Sequence, residues 1–105
     1  MKLIWTSTAL RDLYNIGDHI AKDNPAAARR YVDKLIKKMR RVKRFPNSGR
    51  TVPEVANDAI REVIEGNYRL VYIVNSSAKT ITVLTVFESH KSSLRKAEEI
   101  KKVSD

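Results

Sequence analysis

The chain has 105 residues, with 21 Lys and Arg against 12 Asp and Glu, a formal charge of +9 at pH 7. Its length holds one domain, read as residues 1–105, and 42% hydrophobic with 31% charged residues suits a packed soluble protein rather than a disordered one. The lack of cysteine excludes disulfides and thiolate chemistry, and His19 and His90 are too few for an all-His metal site, so neither a metal nor another cofactor is expected. The start MKLIWTST is not a signal peptide and no apolar run reaches the roughly 20 residues of a membrane span, which implies a cytoplasmic protein with no membrane partner.

Residues 2–6, KLIWT, read as a short strand, and Thr6, Ser7 or Thr8 can cap the helix that follows. Ala9, Leu13, Ile16 and Ile20 fall at spacings of 4, 3 and 4, a single apolar stripe on a helix ending near Lys22. Asp23-Asn24-Pro25 restarts the chain, with Asn24 suited to the N-cap and Pro25 to the first helical position. The second helix is predicted over Pro25 to Arg44, burying Ala28, Tyr31, Val32, Leu35, Met39 and Val42. Two adjacent amphipathic helices with so short a break form an antiparallel hairpin.

Phe45-Pro46-Asn47-Ser48-Gly49 ends the second helix, and a loop continues through Pro53. Residues 60–65, IREVIE, then read as a strand, Gly66-Asn67 as a two-residue hairpin turn, and Tyr68 to Val74 as its partner. Asn75 to Lys79 makes another turn, and Thr80 to Phe87 a third strand, apolar on both faces and so central in its sheet or covered on both sides. Leu94, Ala97 and Ile100 mark a short helix within Ser92 to Val103. The expected class is α+β: an N-terminal strand, an antiparallel helical hairpin packed on a small antiparallel sheet, and a short C-terminal helix.

Few residues offer chemistry. The second helix carries Arg29, Arg30, Lys34, Lys37, Lys38, Arg40, Arg41, Lys43 and Arg44 against the single acid Asp33. Like charges this dense repel at i,i+4 spacing, so the face is either a solvated surface or a contact for a polyanion or acidic segment. Arg61 and Arg69 lie on consecutive strands, where each can form an ion pair with Glu62, Glu65 or Glu88, or the two can clamp a phosphate. His90 is suited by pKa to proton transfer and sits beside Lys91; with Arg61, Arg69 and Tyr68 it could furnish an RNA-cleaving centre if the four converge. His19 reads as helix surface, and Tyr31 and Met39 as core. No Gly-rich phosphate loop and no Ser/His/Asp arrangement is present.

Four segments taken together resemble a known family. They are Trp5…Ala9-x-x-Asp12-Leu13…Ile16…Ile20, then Asn24-Pro25-x-Ala27-Ala28, then Pro46-x-x-Gly49-Arg50-x-Val52-x-Glu54, and Ile60-Arg61-Glu62…Tyr68-Arg69-Leu70-Val71-Tyr72. In this order, over about residues 3–91, they are similar to the RelE/ParE superfamily of type II toxin–antitoxin toxins, whose fold is a helical hairpin against an antiparallel sheet. The resemblance implies either mRNA cleavage on the ribosome, as in RelE-like members, or poisoning of DNA gyrase, as in ParE-like members. The long hairpin and the Pro46-x-x-Gly49-Arg50 element look ParE-like. Arg69 matches the phosphate-contacting position of RelE-like toxins, but Ile60-Arg61-Glu62 stands where their paired lysines would be, and Glu62 would repel phosphate. His90-Lys91 falls where RNA-cleaving relatives place a terminal catalytic group.

The resemblance thus implies a toxin that acts on gyrase by surface contact, with no catalytic residue, and is neutralised by a cognate antitoxin bearing an acidic segment. That segment is expected in the groove between hairpin and sheet. Arg50, Arg61, Arg69, Lys91, Lys37 and Arg41 are the expected partner contacts. The alternatives are a ribosome-dependent mRNA endonuclease using Arg61, Arg69 and His90, and a basic binding module without toxicity.

Overall fold

The structure, a computed structural model, describes residues 1–89 together with Ile100. The elements run β1 (Lys2–Trp5), α1 (Ser7–Ala21), α2 (Pro25–Arg44), β2 (Arg50–Thr51), β3 (Ile60–Glu65), β4 (Tyr68–Asn75) and β5 (Thr80–Glu88). The expected C-terminal helix lies outside the described residues except at Ile100, which is helical and buried. No described helix is long and apolar enough to cross a membrane.

Both helices start where their cap chemistry dictates. The Thr6 hydroxyl accepts from the Ala9 amide at 3.0 Å, and Asn24 Oδ1 accepts from Ala27 at 3.1 Å with Pro25 in the first turn. Ala9, Leu13 and Ile16 of α1 and Ala28, Leu35, Met39 and Val42 of α2 are buried. Tyr31 and Val32, expected in the core, are only half-buried. Tyr31 lies at the rim, its ring edge-on to Tyr68 at 5.4 Å, where its hydroxyl accepts from the Asn67 amide at 2.9 Å. It thereby seats the β3–β4 turn on α2. Gly66 adopts φ +59° there, and a Cβ at that position would fall 1.9 Å from the Tyr31 hydroxyl, so the turn admits only glycine.

The fold is the expected α+β one, two helices packed on a small sheet with an N-terminal strand, and the sheet, of order β1-β5-β4-β3-β2, is mixed. β3, β4 and β5 form the antiparallel meander, but β1 pairs parallel with β5, from Lys2↔Thr80 to Trp5↔Val83. The reason is topological: the hairpin carries the chain from β1 across one face of the sheet, and the meander returns with β5 pointing the same way as β1. β2 is an addition, two residues paired with β3 inside what reads as a loop. β5 lies inside the sheet between β1 and β4, with an apolar core on each face, which accounts for its two apolar sides.

Val71 faces Thr85 and Tyr72 faces Val83, so Leu84 is the extra residue of a bulge in β5. Helix α1 satisfies the polar groups that the bulge takes out of the ladder. The Thr6 hydroxyl donates to the Leu84 carbonyl at 3.0 Å, while Asp12 Oδ2 accepts from the Thr85 hydroxyl at 2.6 Å and the Val86 amide at 2.9 Å. One apolar core then fills the space between hairpin and sheet, built around Leu13, Leu35, Met39, Leu70, Tyr72 and Val83. A second core lies on the opposite face, where Val52, Val55 and Ile100 cover Ile60, Val71, Leu84 and Phe87.

Candidate functional site

Strand alternation decides which basic residues meet. On β3, Ile60 belongs to the second core and Val63 to the first, so Glu62 points with Ile60, away from the helices, and Arg61 points toward them. On β4, Val71 belongs to the second core and Tyr72 to the first, which sends Arg69 to the side of Glu62. Arg61 and Arg69 therefore occupy opposite faces of the sheet, and the two do not clamp one phosphate.

Arg50 faces Glu62 in the β2–β3 register and completes a cluster on the helix-free face. The side chain of Glu62 is 1% exposed and lies between two guanidinium groups. Arg50 donates from Nε to Glu62 Oε1 at 2.6 Å, with its Nη2 also on that oxygen, and Arg69 Nη1 donates to the same oxygen at 3.1 Å. Arg69 is further held by a bond from Nε to the Ser89 carbonyl at 2.9 Å. A carboxylate in so little water is tolerated because two cations and their hydrogen bonds replace its hydration. Of the two arginines on this carboxylate, Arg50 is the more exposed, its side chain 57% open to solvent. Glu62 holds both arginines internally rather than standing apart to repel an anion.

Arg61 instead organises the loop that follows α2. Its Nη1 donates to the Gly49 carbonyl at 2.7 Å and, at 3.4 Å, to that of Asn47. Beside it the buried Tyr72 hydroxyl donates to the Pro46 carbonyl at 2.9 Å and accepts from the Gly49 amide at 3.0 Å. Burial pushes the Tyr72 phenol above its ordinary value, against the lowering effect of the Gly49 bond and the Arg61 charge. A Cβ at Gly49 would fall 2.5 Å from the Tyr72 hydroxyl and 2.7 Å from the Glu62 carbonyl, so glycine is what lets the loop lie this close. Among the expected partner contacts on α2, Lys37 is ion-paired with Asp33 at 2.8 Å and Arg41 is exposed. His90 and Lys91 lie outside the described residues.

The space between hairpin and sheet, expected to receive a partner, is filled by the first core. The open apolar groove runs instead between the two helices, about 530 Å³ lined by Leu13, Tyr14, Gly17, Ala21, Val32 and Ile36 among others, with no residue of the sheet. Tyr14 at its edge is 73% exposed. A smaller recess of about 220 Å³ lies where His19, Asp12 and Asn15 of α1 approach Glu88. Among the described residues no group of three or more His, Cys, Asp or Glu side chains is placed to hold a metal. Asp12 and Tyr72 are the residues to which sequence reasoning gave no role; nothing in the local pattern of either shows the remote backbone group that it holds.

The arrangement of a helical hairpin on this sheet is found in solved structures. The chromosomal ParDE toxin–antitoxin system of P. aeruginosa matches with a TM-score of 0.68 and 23% identity over 84% of this chain and 95% of that one. The isolated RelE toxin of E. coli matches with a TM-score of 0.63 and 19% identity over 97% of both chains. A YoeB/ParE toxin from Agrobacterium tumefaciens matches with a TM-score of 0.56 and 25% identity over 84% of this chain and 98% of that one. No curated protein matches by sequence. The sequence model of the ParE toxin of the type II toxin–antitoxin system parDE matches residues 3–92, and by that match the chain belongs to the ParE toxin family within the RelE/ParE superfamily.

Proposed function

We propose that the protein inhibits DNA gyrase and is neutralised by a cognate antitoxin with an acidic, partly disordered segment. The observation that best supports the gyrase reading is the separation of Arg61 from Arg69: one anchors a loop on the helix face, the other is held by Glu62 on the opposite face. A nuclease centre needs cations converging on one phosphate, and these two do not. Inhibition would then work by surface contact, with Arg50, Arg61, Arg69, Lys91, Lys37 and Arg41 as the partner contacts. The antitoxin is assigned to the groove between α1 and α2, where an amphipathic helix would bury the apolar lining while its acidic side chains meet the basic face of α2.

The test is a supercoiling assay with purified gyrase and graded amounts of the protein. Inhibition that is reversed by the antitoxin is expected, and full supercoiling at saturating protein would remove the reading. One observation keeps ribosome-dependent mRNA cleavage as the second reading: Arg69 is bonded to the carbonyl of Ser89, which immediately precedes His90-Lys91 in the chain. That reading requires defined mRNA cuts in a translating extract, abolished by His90→Ala and by Arg69→Ala.

A further inference from the structure

We propose that Phe45, with Arg44 against its ring and Arg41 one helical turn before it in the chain, is a stacking site for an unpaired base of single-stranded DNA. The inference deepens the gyrase reading, on which only the choice of DNA over RNA rests. Phe45 directly follows α2 and is 60% exposed, and it belongs to neither apolar core. Single exposed apolar residues are common on protein surfaces, and what sets this ring apart is the cation against it and the rigidity of its loop. Its backbone, by contrast, is firmly held. The Phe45 amide donates to the Arg41 carbonyl at 3.2 Å and the Val42 carbonyl at 3.0 Å, and the Ser48 amide donates back to the Phe45 carbonyl at 2.9 Å. Tyr72 grips Pro46 and Gly49, and Arg61 grips Asn47 and Gly49. The ring is thus presented on a fixed loop with only its two side-chain torsions left to order, a small entropic cost for a contact.

The surroundings select the ligand. From Lys34 to Pro53 there is no Asp or Glu, while Lys34, Lys37, Lys38, Arg40, Arg41, Lys43, Arg44 and Arg50 all lie in that stretch. Lys37 is paired with Asp33 and Arg50 with Glu62; Lys38, Arg40, Arg41, Lys43 and Arg44 make no ion pair with a described residue. The Arg44 guanidinium lies 5.9 Å from the Phe45 ring centroid, a cation–π contact that occupies one side of the ring. An aromatic face set among cations matches a strand whose phosphates lie on the arginines while a base stacks on the free side of the ring. An acidic peptide would satisfy the charges but has no need of the ring, and an intact duplex keeps its bases stacked on one another.

The experiment measures anisotropy of a fluorescein-labelled single-stranded DNA with the purified full chain, beside a duplex and an RNA of the same sequence. Phe45→Ala is expected to weaken single-strand binding by about tenfold and to leave duplex binding unchanged. Its dependence on salt should match that of the wild type, since the ring contacts no phosphate, whereas Arg41→Ala and Arg44→Ala should each flatten the salt dependence by about 0.7 in log–log slope. Phe45→Trp should retain the affinity, and a thermal melt of Phe45→Ala should match the wild type. Equal affinity of Phe45→Ala and wild type for the single strand would overturn the site, as would a Phe45→Ala loss of equal size on the duplex. Tighter binding of the RNA would overturn the assignment to DNA. Supercoiling is scored separately: a wild-type protein that inhibits gyrase but binds no single strand refutes the stacking site alone. Strand binding without gyrase inhibition would keep the site and refute the target.

Discussion

Glu62 and Tyr72 each do at one atom what a whole loop depends on, and their costs differ in kind. Glu62 accepts from two arginines at one buried oxygen, so removing it takes an ion pair from Arg69, whose side chain is 19% exposed. Glu62→Ala should cost about 3 kcal/mol or more in urea denaturation, and pairing Glu62→Leu with Arg69→Met should recover most of that. Arg50→Ala should cost under about 1 kcal/mol, because solvent already screens a side chain that is 57% exposed. Tyr72→Phe removes the bonds to Pro46 and Gly49 without a change of shape and leaves those backbone groups unmet, for an expected loss of about 1–3 kcal/mol. The same hydroxyl sets a pH dependence. Burial raises the folded-state pKa of Tyr72, and of Tyr68, above the ordinary 10.0, so the folded protein holds these protons more tightly than the unfolded chain does. Their contribution is complete below pH 10 and is lost as pH rises beyond it toward the folded-state values. Urea midpoints followed upward from pH 9 should therefore fall, and fall less steeply in Tyr72→Phe.

At the scale of elements, the joint between α1 and β5 holds the two layers in place. Asp12 bridges the Thr85 hydroxyl and the Val86 amide at the bulge, both bonds to a carboxylate and hence stronger than neutral ones. Asp12→Ala should destabilise by about 2 kcal/mol and speed hydrogen exchange at the Val86 amide more than at amides of β3. A uniform rise in exchange would instead mean that Asp12 serves general stability and not this joint. The contrast with the rest of the fold shows what a sequence reveals. The stripe of Ala9, Leu13, Ile16 and Ile20, the Asn24-Pro25 restart and the Gly66-Asn67 turn are local signals, and they place α1, α2 and the β3–β4 hairpin correctly. The parallel pairing of β1 with β5 joins residues nearly eighty positions apart, and a four-residue strand has too little pattern to encode its partner. β2 is shorter than one period of alternation, and the bulge at Leu84 shows only once β4 fixes the register. The site was legible in part. The two-residue Gly66-Asn67 turn sets Ile64 opposite Arg69 and Arg61 opposite Tyr72, so alternation alone puts Arg61 and Arg69 on opposite faces. The Arg50–Glu62 pair depends instead on β2, which no local pattern marks.

For the molecule as a whole, a charge of +9 sets the sign of a partner, and the ion pairs determine which cations remain to attract it. Nine of the 21 basic residues lie on α2, and only one of them, Lys37, is paired with a described acid. Of these nine only Arg29 lines the groove between α1 and α2, beside Asp18 and Asp33. An acidic antitoxin docking as proposed would thus be steered by the basic residues of α2 outside the groove, through a field that salt screens over about 8–10 Å. Its association rate should fall several-fold between about 0.05 and 0.5 M salt, while the dissociation rate should change little if, as proposed, the apolar lining of the groove holds the partner. Charge reversal separates the residues further. Arg41→Glu removes an exposed cation that no described acid offsets and should slow association several-fold at low salt. Lys37→Glu makes the same change in net charge but in different surroundings, because Asp33 lies 2.8 Å away. Removing that lysine also frees the Asp33 carboxylate, so Lys37→Glu creates a local negative pair that repels an acidic segment at short range. The two reversals should then have similar effects at low salt but different residues of effect at high salt, where only the close repulsion at Lys37 and Asp33 survives screening. Stopped-flow association of each variant with the antitoxin across that salt range checks this, and a rate that neither reversal changes at any salt would show that the antitoxin does not approach along α2.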